Sequence, residues 1–217
     1  VDAEVSRLQL LKRNYTSNKY RLEKDYLHIL PERKKNILSM IEKVEKDIAL
    51  RNSSPMFQNS DSLTISENVF AEQEDNENLP FVMTINGVDI TERKRAGEYF
   101  KGMFRKLPLD GKNVDFANFA GFTIGVSKRL VFDDVDATIT ISGNGKYTIA
   151  GAIDGDIGNI IRIQNGLKKL DDELDSCRKR LQEVEAAIES TKVEFEKPFS
   201  KEEELSRLLE RKAELDE

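Results

Sequence analysis

The sequence predicts an α+β protein in which long antiparallel helical hairpins, a coiled-coil-like stalk or bundle, carry a small antiparallel β-sheet head with one packed helix. Three observations point there. Apolar residues recur at helical spacing near both ends of the chain. Short β-prone runs flank Asn-Gly and Gly-Asn-Gly turns in the middle. The composition is 38% hydrophobic and 34% charged over 217 residues, apolar-poor and charge-rich against the usual ~45–50% and ~25%. Such a chain has more solvated helix surface than compact core.

The N-terminal stripe is Val5, Leu8, Leu11, Tyr15, Leu22, Tyr26 and Ile29, mostly in steps of three or four. Pro31 should end that helix or open the next as a first-turn proline. Ile37, Ile41, Val44 and Ile48 then continue the periodicity. With almost no loop at Pro31, residues 1–52 read as a helical hairpin. Residues 53–79 read as an acidic linker. Residues 53–80 hold six acids (Asp61, Glu67, Glu72, Glu74, Asp75 and Glu77) and no basic residue.

Residues 80–158 read as the α+β head. Asn86-Gly87 between Phe81–Ile85 and Val88–Ile90 predicts a two-residue type I′ hairpin. Thr91 is a candidate N-cap for a helix to about Lys106, with Ala96, Phe100, Met103 and Phe104 inward. Phe122–Val126 alternates as a strand, and Ala137–Ile141 and Lys146–Ala150 flank Gly143-Asn144-Gly145 as a second hairpin. Residues 159–217 read as a long heptad helix and a returning helix packing on 1–52. The seam runs unbroken from Ile160 through Leu167, Leu174, Cys177, Leu181 and Ile188 to Phe195. Pro198 ends it, and Ser200 with Glu203 forms a capping box for the last helix. The two hairpins should pack up-down-up-down. The first carries +4 and residues 161–217 carry −4.

Several function classes are disfavoured. One cysteine, Cys177, and one histidine, His28, leave no disulfide framework, multi-Cys zinc site or His-based triad within the segment. No phosphate-cradling glycine loop or dinucleotide fingerprint occurs. Asp154–Asn159 lacks the spacing and distal Glu of a calcium loop and reads as a turn, with Asp156 or Asn159 near a helix N-cap. Asp133-Asp134-Val135-Asp136 reads as a solvated turn. The formal charge of −6 argues against general coating of nucleic acid. Local basic runs remain: Arg93, Lys94 and Arg95 with Arg105 and Lys106 on the central helix, and Arg33, Lys34 and Lys35 near Pro31. These are the candidate phosphate-contacting residues. No apolar run of membrane-spanning length occurs, no cofactor is expected in the segment, and no catalytic activity is expected of it. The starting Val and the helical last residues suggest a piece of a longer polypeptide.

Four runs carry a resemblance: Ala3–Lys12; Thr84-Ile85-Asn86-Gly87 followed by Thr91–Glu98; Gly158–Leu167; and Glu196-Lys197-Pro198-Phe199 before an acidic helix. Together they resemble the C-terminal accessory region of very large helicase/DNA-methylase polypeptides. Those polypeptides are carried by conjugative and phage-like mobile elements of Firmicutes and related gut bacteria, and resemble Swi/Snf-type helicases, often fused to an adenine-N6 methylase domain. The resemblance implies a cytoplasmic bacterial protein. It also implies an accessory, non-catalytic role positioning DNA or docking other modules. The helicase ATP site and methylase motif would lie elsewhere in the parent chain. The expected partners are the rest of that chain and DNA, with no membrane. A homodimer through the heptad helix, with the segment acting as an interaction or oligomerisation module, is the competing arrangement.

Overall fold

The computed structural model describes residues 2–58, 81–132, 134–151 and 155–216. The fold is α+β, with long helices and a six-stranded antiparallel sheet. The chain divides into two compact units, residues 1–39 with 177–217, and residues 40–176.

The helical unit departs from the hairpin expected at Pro31. Helix α1 (Asp2–Lys24), a π-helical turn (Asp25–Ile29) and α2 (Leu30–Ser53) follow one another without a break. A proline inside an α-helix lacks an N–H and crowds the carbonyl four residues back. Here the preceding turn widens, and the Leu30 N–H donates to the Asp25 carbonyl, five residues back. The π-turn accommodates Pro31 and the helix continues. Residues 1–52 are therefore not a hairpin.

The second strand of this unit is built from α5 (Leu170–Glu196) and α6 (Glu202–Asp216). Contacts fall steadily along the N-terminal helix as they rise along the C-terminal chain. Lys34 pairs with Glu185 at 2.8 Å, and Tyr26 stacks on Phe195. Lys12 pairs with Glu202, and Asp2 with Lys212 at 2.8 Å. Helix α6 thus runs on along α1 in the direction of α5, and does not return. The arrangement is a two-stranded antiparallel pair with a break at Pro198, not four helices up-down-up-down. Tyr15 holds the break. Its hydroxyl donates to the Lys197 carbonyl at 2.7 Å and its ring packs on Phe199 at 5.4 Å. Lys19 lies over the Tyr15 and Phe195 rings. Val5, Leu8 and Leu205 are buried in this unit, worth ~1.5–3 kcal/mol each.

The sheet unit has strand order β2-β1-β3-β4-β5-β6, all antiparallel. The strands are β1 (Met83–Ile85), β2 (Val88–Ile90), β3 (Val114–Phe119), β4 (Phe122–Val131), β5 (Asp134–Ser142) and β6 (Lys146–Ala150). The Asn86-Gly87 turn has φ of 49° and 78°, the two positive values of a type I′ hairpin. Strand β3 is not predicted by the sequence pattern. Asp115 and Asn118 interrupt its apolar alternation, and a bulge between Asp115 and Ala117 shifts its phase. It is nevertheless the link between the β1–β2 hairpin and β4.

Two helices, not one, cover the inner face: α3 (Arg93–Lys106) and α4 (Gly158–Lys168). The expected continuous heptad helix is interrupted at Lys169, so that Ile160, Ile163 and Leu167 enter the sheet core with Phe100, Ile124, Ile139 and Ile141. The heptad pattern thus serves a sheet-covering helix over its first third and the helical pair beyond Cys177. Helix α3 starts two residues after Thr91, with Glu92 at its N-cap, and α4 starts after Ile157. Neither cap residue makes a side-chain capping bond. Asp133 and Asp154 fall outside the described residues, as does the acidic segment from residue 59 to 80. The first residues of the expected linker are packed: Phe57 is buried, edge-on to Phe119.

The last part of α2, from Met40, belongs to this unit and is held in it by two buried charged side chains. Asp47 accepts hydrogen bonds from the Asn144 N–H (2.7 Å), the Asn144 side-chain amide (2.9 Å), the Gly145 N–H (2.7 Å) and the Tyr147 hydroxyl (2.7 Å). Arg51 donates to the Leu167 carbonyl at 3.0 Å, capping the end of α4, and to Asp171 at 2.7 Å. Turn strain is stored elsewhere. Phe132, between β4 and β5, has φ of 48° and is 98% exposed. The left-handed region costs a bulky L-residue ~1–2 kcal/mol, and its ring gains almost no burial there. Phe132→Asn is therefore expected to raise stability by about 1 kcal/mol, read as a higher urea midpoint.

Candidate nucleic-acid interface

Helix α3 forms because Ala96, Phe100, Met103 and Phe104 repeat at helical spacing and bury one face against the sheet. Its position is set by close approach to α4. Gly97 lies so near the Asp156 backbone that a Cβ there would sit 2.3 Å from the Asp156 carbonyl oxygen. Lys101 pairs with the Asp156 carboxylate at 2.8 Å, and Lys128, itself buried, donates to the Phe104 carbonyl at 2.7 Å, satisfying one carbonyl in the last turn.

The opposite face is exposed. Lys94, Arg95, Glu98, Tyr99, Gly102, Arg105 and Lys106 follow one another at steps that keep them on one side of the helix, about 20 Å long. Four cations and one acid occupy that face. Three cations crowd the first turn, with no acidic residue. That is where the helix dipole disfavours positive charge and favours anions. Glu92 at the N-cap is the one acid beside these three cations.

Arg93 differs from its neighbours. It is half-buried, with its guanidinium 5.7 Å over the Phe81 ring, and so belongs to the edge of the core rather than to the open face. Lys168, at the end of α4, is brought beside it. Burial first, and the Arg93 guanidinium next, hold the Lys168 ammonium below the usual lysine range. Sequence reasoning missed Lys168 because its proximity to Arg93 arises only from the antiparallel packing of α3 on α4.

The second basic run belongs to the helical unit. Arg33 and Lys35 are exposed on α2, while Lys34 is half-buried and paired to Glu185. Cys177 is buried, as its seam position suggests, with an Arg180 guanidinium nitrogen 3.0 Å from its sulfur. His28 is exposed on the π-turn. Asp136 is engaged by Arg129 at 2.7 Å. Among the described residues no group of three His, Cys, Asp or Glu side chains is placed to hold a metal ion, and no helix is long and apolar enough to cross a membrane.

Gly102 lies on the exposed face, with nothing within 4 Å of the position its Cβ would take. Gly102→Ala is expected to stabilise the sheet unit by up to about 1 kcal/mol, seen in thermal or urea unfolding. No family model, curated protein or solved structure matches this chain.

Proposed function

We propose that the chain is a non-catalytic accessory module of a larger DNA-processing polypeptide, and that its sheet unit contacts DNA phosphates through the outer face of α3. The observation that carries this reading is the arrangement of Lys94, Arg95, Arg105 and Lys106 on one exposed helix face with a single acid, Glu98, among them. Lysine and arginine on such a face neutralise phosphates and release counterions without reading bases. The parent helicase/methylase context rests on the sequence resemblance. Arg33 and Lys35 offer a further basic surface on the helical unit. The oligomerisation reading has less support, because Leu167, Leu170, Leu174 and Cys177 of the heptad seam are already buried within the chain.

Binding is expected to be weak, salt-sensitive and nearly independent of sequence. Fluorescence anisotropy with labelled duplex, forked and single-stranded DNA over a salt series measures it. Lys94→Glu combined with Arg95→Glu should weaken binding and reduce the salt slope by about two, roughly one per lost phosphate contact. Both side chains are exposed, so the unfolding midpoint should hold. Absence of binding to every DNA form at low salt, or an unchanged slope in the double variant, refutes the assignment.

A further inference from the structure

We propose that the outer edge of β6 is a docking groove for an extended acidic peptide, which would add as a further strand to the sheet. Strand β6 ends the strand order and pairs, among the described residues, only with β5. Its two edges can be told apart. The Gly151 N–H donates to the Ala137 carbonyl, and the Gly143 N–H to the Gly145 carbonyl. In an antiparallel ladder bonded and non-bonded pairs alternate, so Tyr147 and Ile149 direct their main-chain groups to β5. The main-chain N–H and C=O of Lys146, Thr148 and Ala150 then point outward.

A groove of about 670 Å³ runs along this edge. That size falls within the ~300–1,000 Å³ of ligand-binding clefts. One wall is β6 itself. The other is made by Arg162 and Asn165 of α4, Lys169 at the break and Glu173 in the first turn of α5. Gly166 lets the helix approach closely, since a Cβ there would sit 2.6 Å from the Ile149 side chain. Arg162 reaches across to the Gly151 carbonyl and closes one end. A strand and a helix framing a groove beside main-chain groups that are unpaired among the described residues is the geometry of strand-addition recognition, in which the backbone supplies affinity and alternate side chains supply selectivity.

Charge selects the occupant. Lys146, Arg162 and Lys169 line the groove against one acid, Glu173. On an added strand every second side chain faces the α4–α5 wall. The structure therefore favours a peptide with acidic residues at alternate positions. This docking edge is independent of the α3 face and of the DNA reading.

The test uses the full chain and a fluorescein-labelled octapeptide alternating glutamate and valine. A control peptide replaces each glutamate by lysine. The acidic peptide should bind, and hydrogen exchange should show new protection at the Thr148 and Ala150 amides. The control should bind at least fivefold more weakly. Lys169→Glu should weaken binding of the acidic peptide about fivefold, the upper range for an exposed ion pair. Thr148→Pro removes an outward N–H without removing a bond to β5, and should abolish binding while the unfolding midpoint is retained. If Thr148→Pro shifts that midpoint, the Lys169→Glu titration and the exchange pattern decide. Absence of binding, equal binding of both peptides, or protection confined to residues away from β6 overturns the proposal. A concentration-dependent dimer whose formation protects the Thr148 and Ala150 amides would also overturn it, because a second copy would then be the occupant.

Discussion

Asp47→Ala should destabilise the sheet unit by about 2–4 kcal/mol, a large fraction of the stability of an ordinary domain. Asp47 is fully buried and accepts four hydrogen bonds, all from the Gly143–Tyr147 region. Alanine would leave the Asn144 and Gly145 amides and the Tyr147 hydroxyl without their acceptor at the half-buried foot of the turn, where water can replace only part of what the carboxylate supplies. Each such orphaned group costs ~1–3 kcal/mol. The turn and the carboxylate meet closely, and only glycine at residue 143 allows it. A Cβ on Gly143 would lie 2.4 Å from an Asp47 carboxylate oxygen. Asp47→Asn should cost less, about 2 kcal/mol, since one oxygen still accepts while the new amide nitrogen opposes two donors. Tyr147→Phe removes one bond and should cost about 1 kcal/mol. Urea unfolding of the three variants checks the order. A loss below about 1 kcal/mol for Asp47→Ala, no more than one ordinary hydrogen bond, would show that the turn is held by other contacts.

Gly97→Ala is the second large effect, and its sign runs against helix propensity. Alanine in a helix interior is favoured over glycine by ~1 kcal/mol. At residue 97 the added methyl would meet the Asp156 carbonyl oxygen at 2.3 Å, its carbon at 2.5 Å and the Ile157 nitrogen at 2.9 Å. These are backbone atoms, so relief requires α3 and the start of α4 to separate. Overpacking of this kind costs ~1–3 kcal/mol and more when backbone must shift. The net expectation is a loss of about 2 kcal/mol, together with a weakened Lys101–Asp156 pair. Gly102→Ala, five residues along the same helix, should instead stabilise. Thermal unfolding of the two variants side by side separates packing from propensity. Equal shifts of the same sign would refute the close-approach account.

The α3 cations illustrate how far a candidate site is legible from sequence. Arg93, Lys94, Arg95, Arg105 and Lys106 are evident as basic runs, and helical spacing alone places Lys94, Arg95 and Lys106 away from the apolar stripe. That Arg93 stacks on Phe81 and that its charge acts on Lys168 is not legible. The first depends on how α3 packs beside the start of β1, and the second on how α3 and α4 meet. The groove beside β6 is hidden for the same reason. It exists only where a strand edge and a helical wall from different parts of the chain come together.

The sequence by itself determined the local features: the Asn86-Gly87 turn, the β5–β6 hairpin, the inward face of α3, the break at Pro198 and the α+β class. Each depends on the backbone preferences of neighbouring residues or on a period of two or 3.6. The tertiary structure decided the rest. Pro31 has the local character of a chain reversal, but the helix continues through a π-turn because partners along its length reward continuity over one lost hydrogen bond. The heptad seam has the spacing of one helix, but it breaks at Lys169, where its first third must lie on the sheet. Periodicity records that a face is to be buried, but not which surface buries it. That choice is made by the long-range contacts through which each apolar face, and each buried charge such as Asp47 and Arg51, finds its partner.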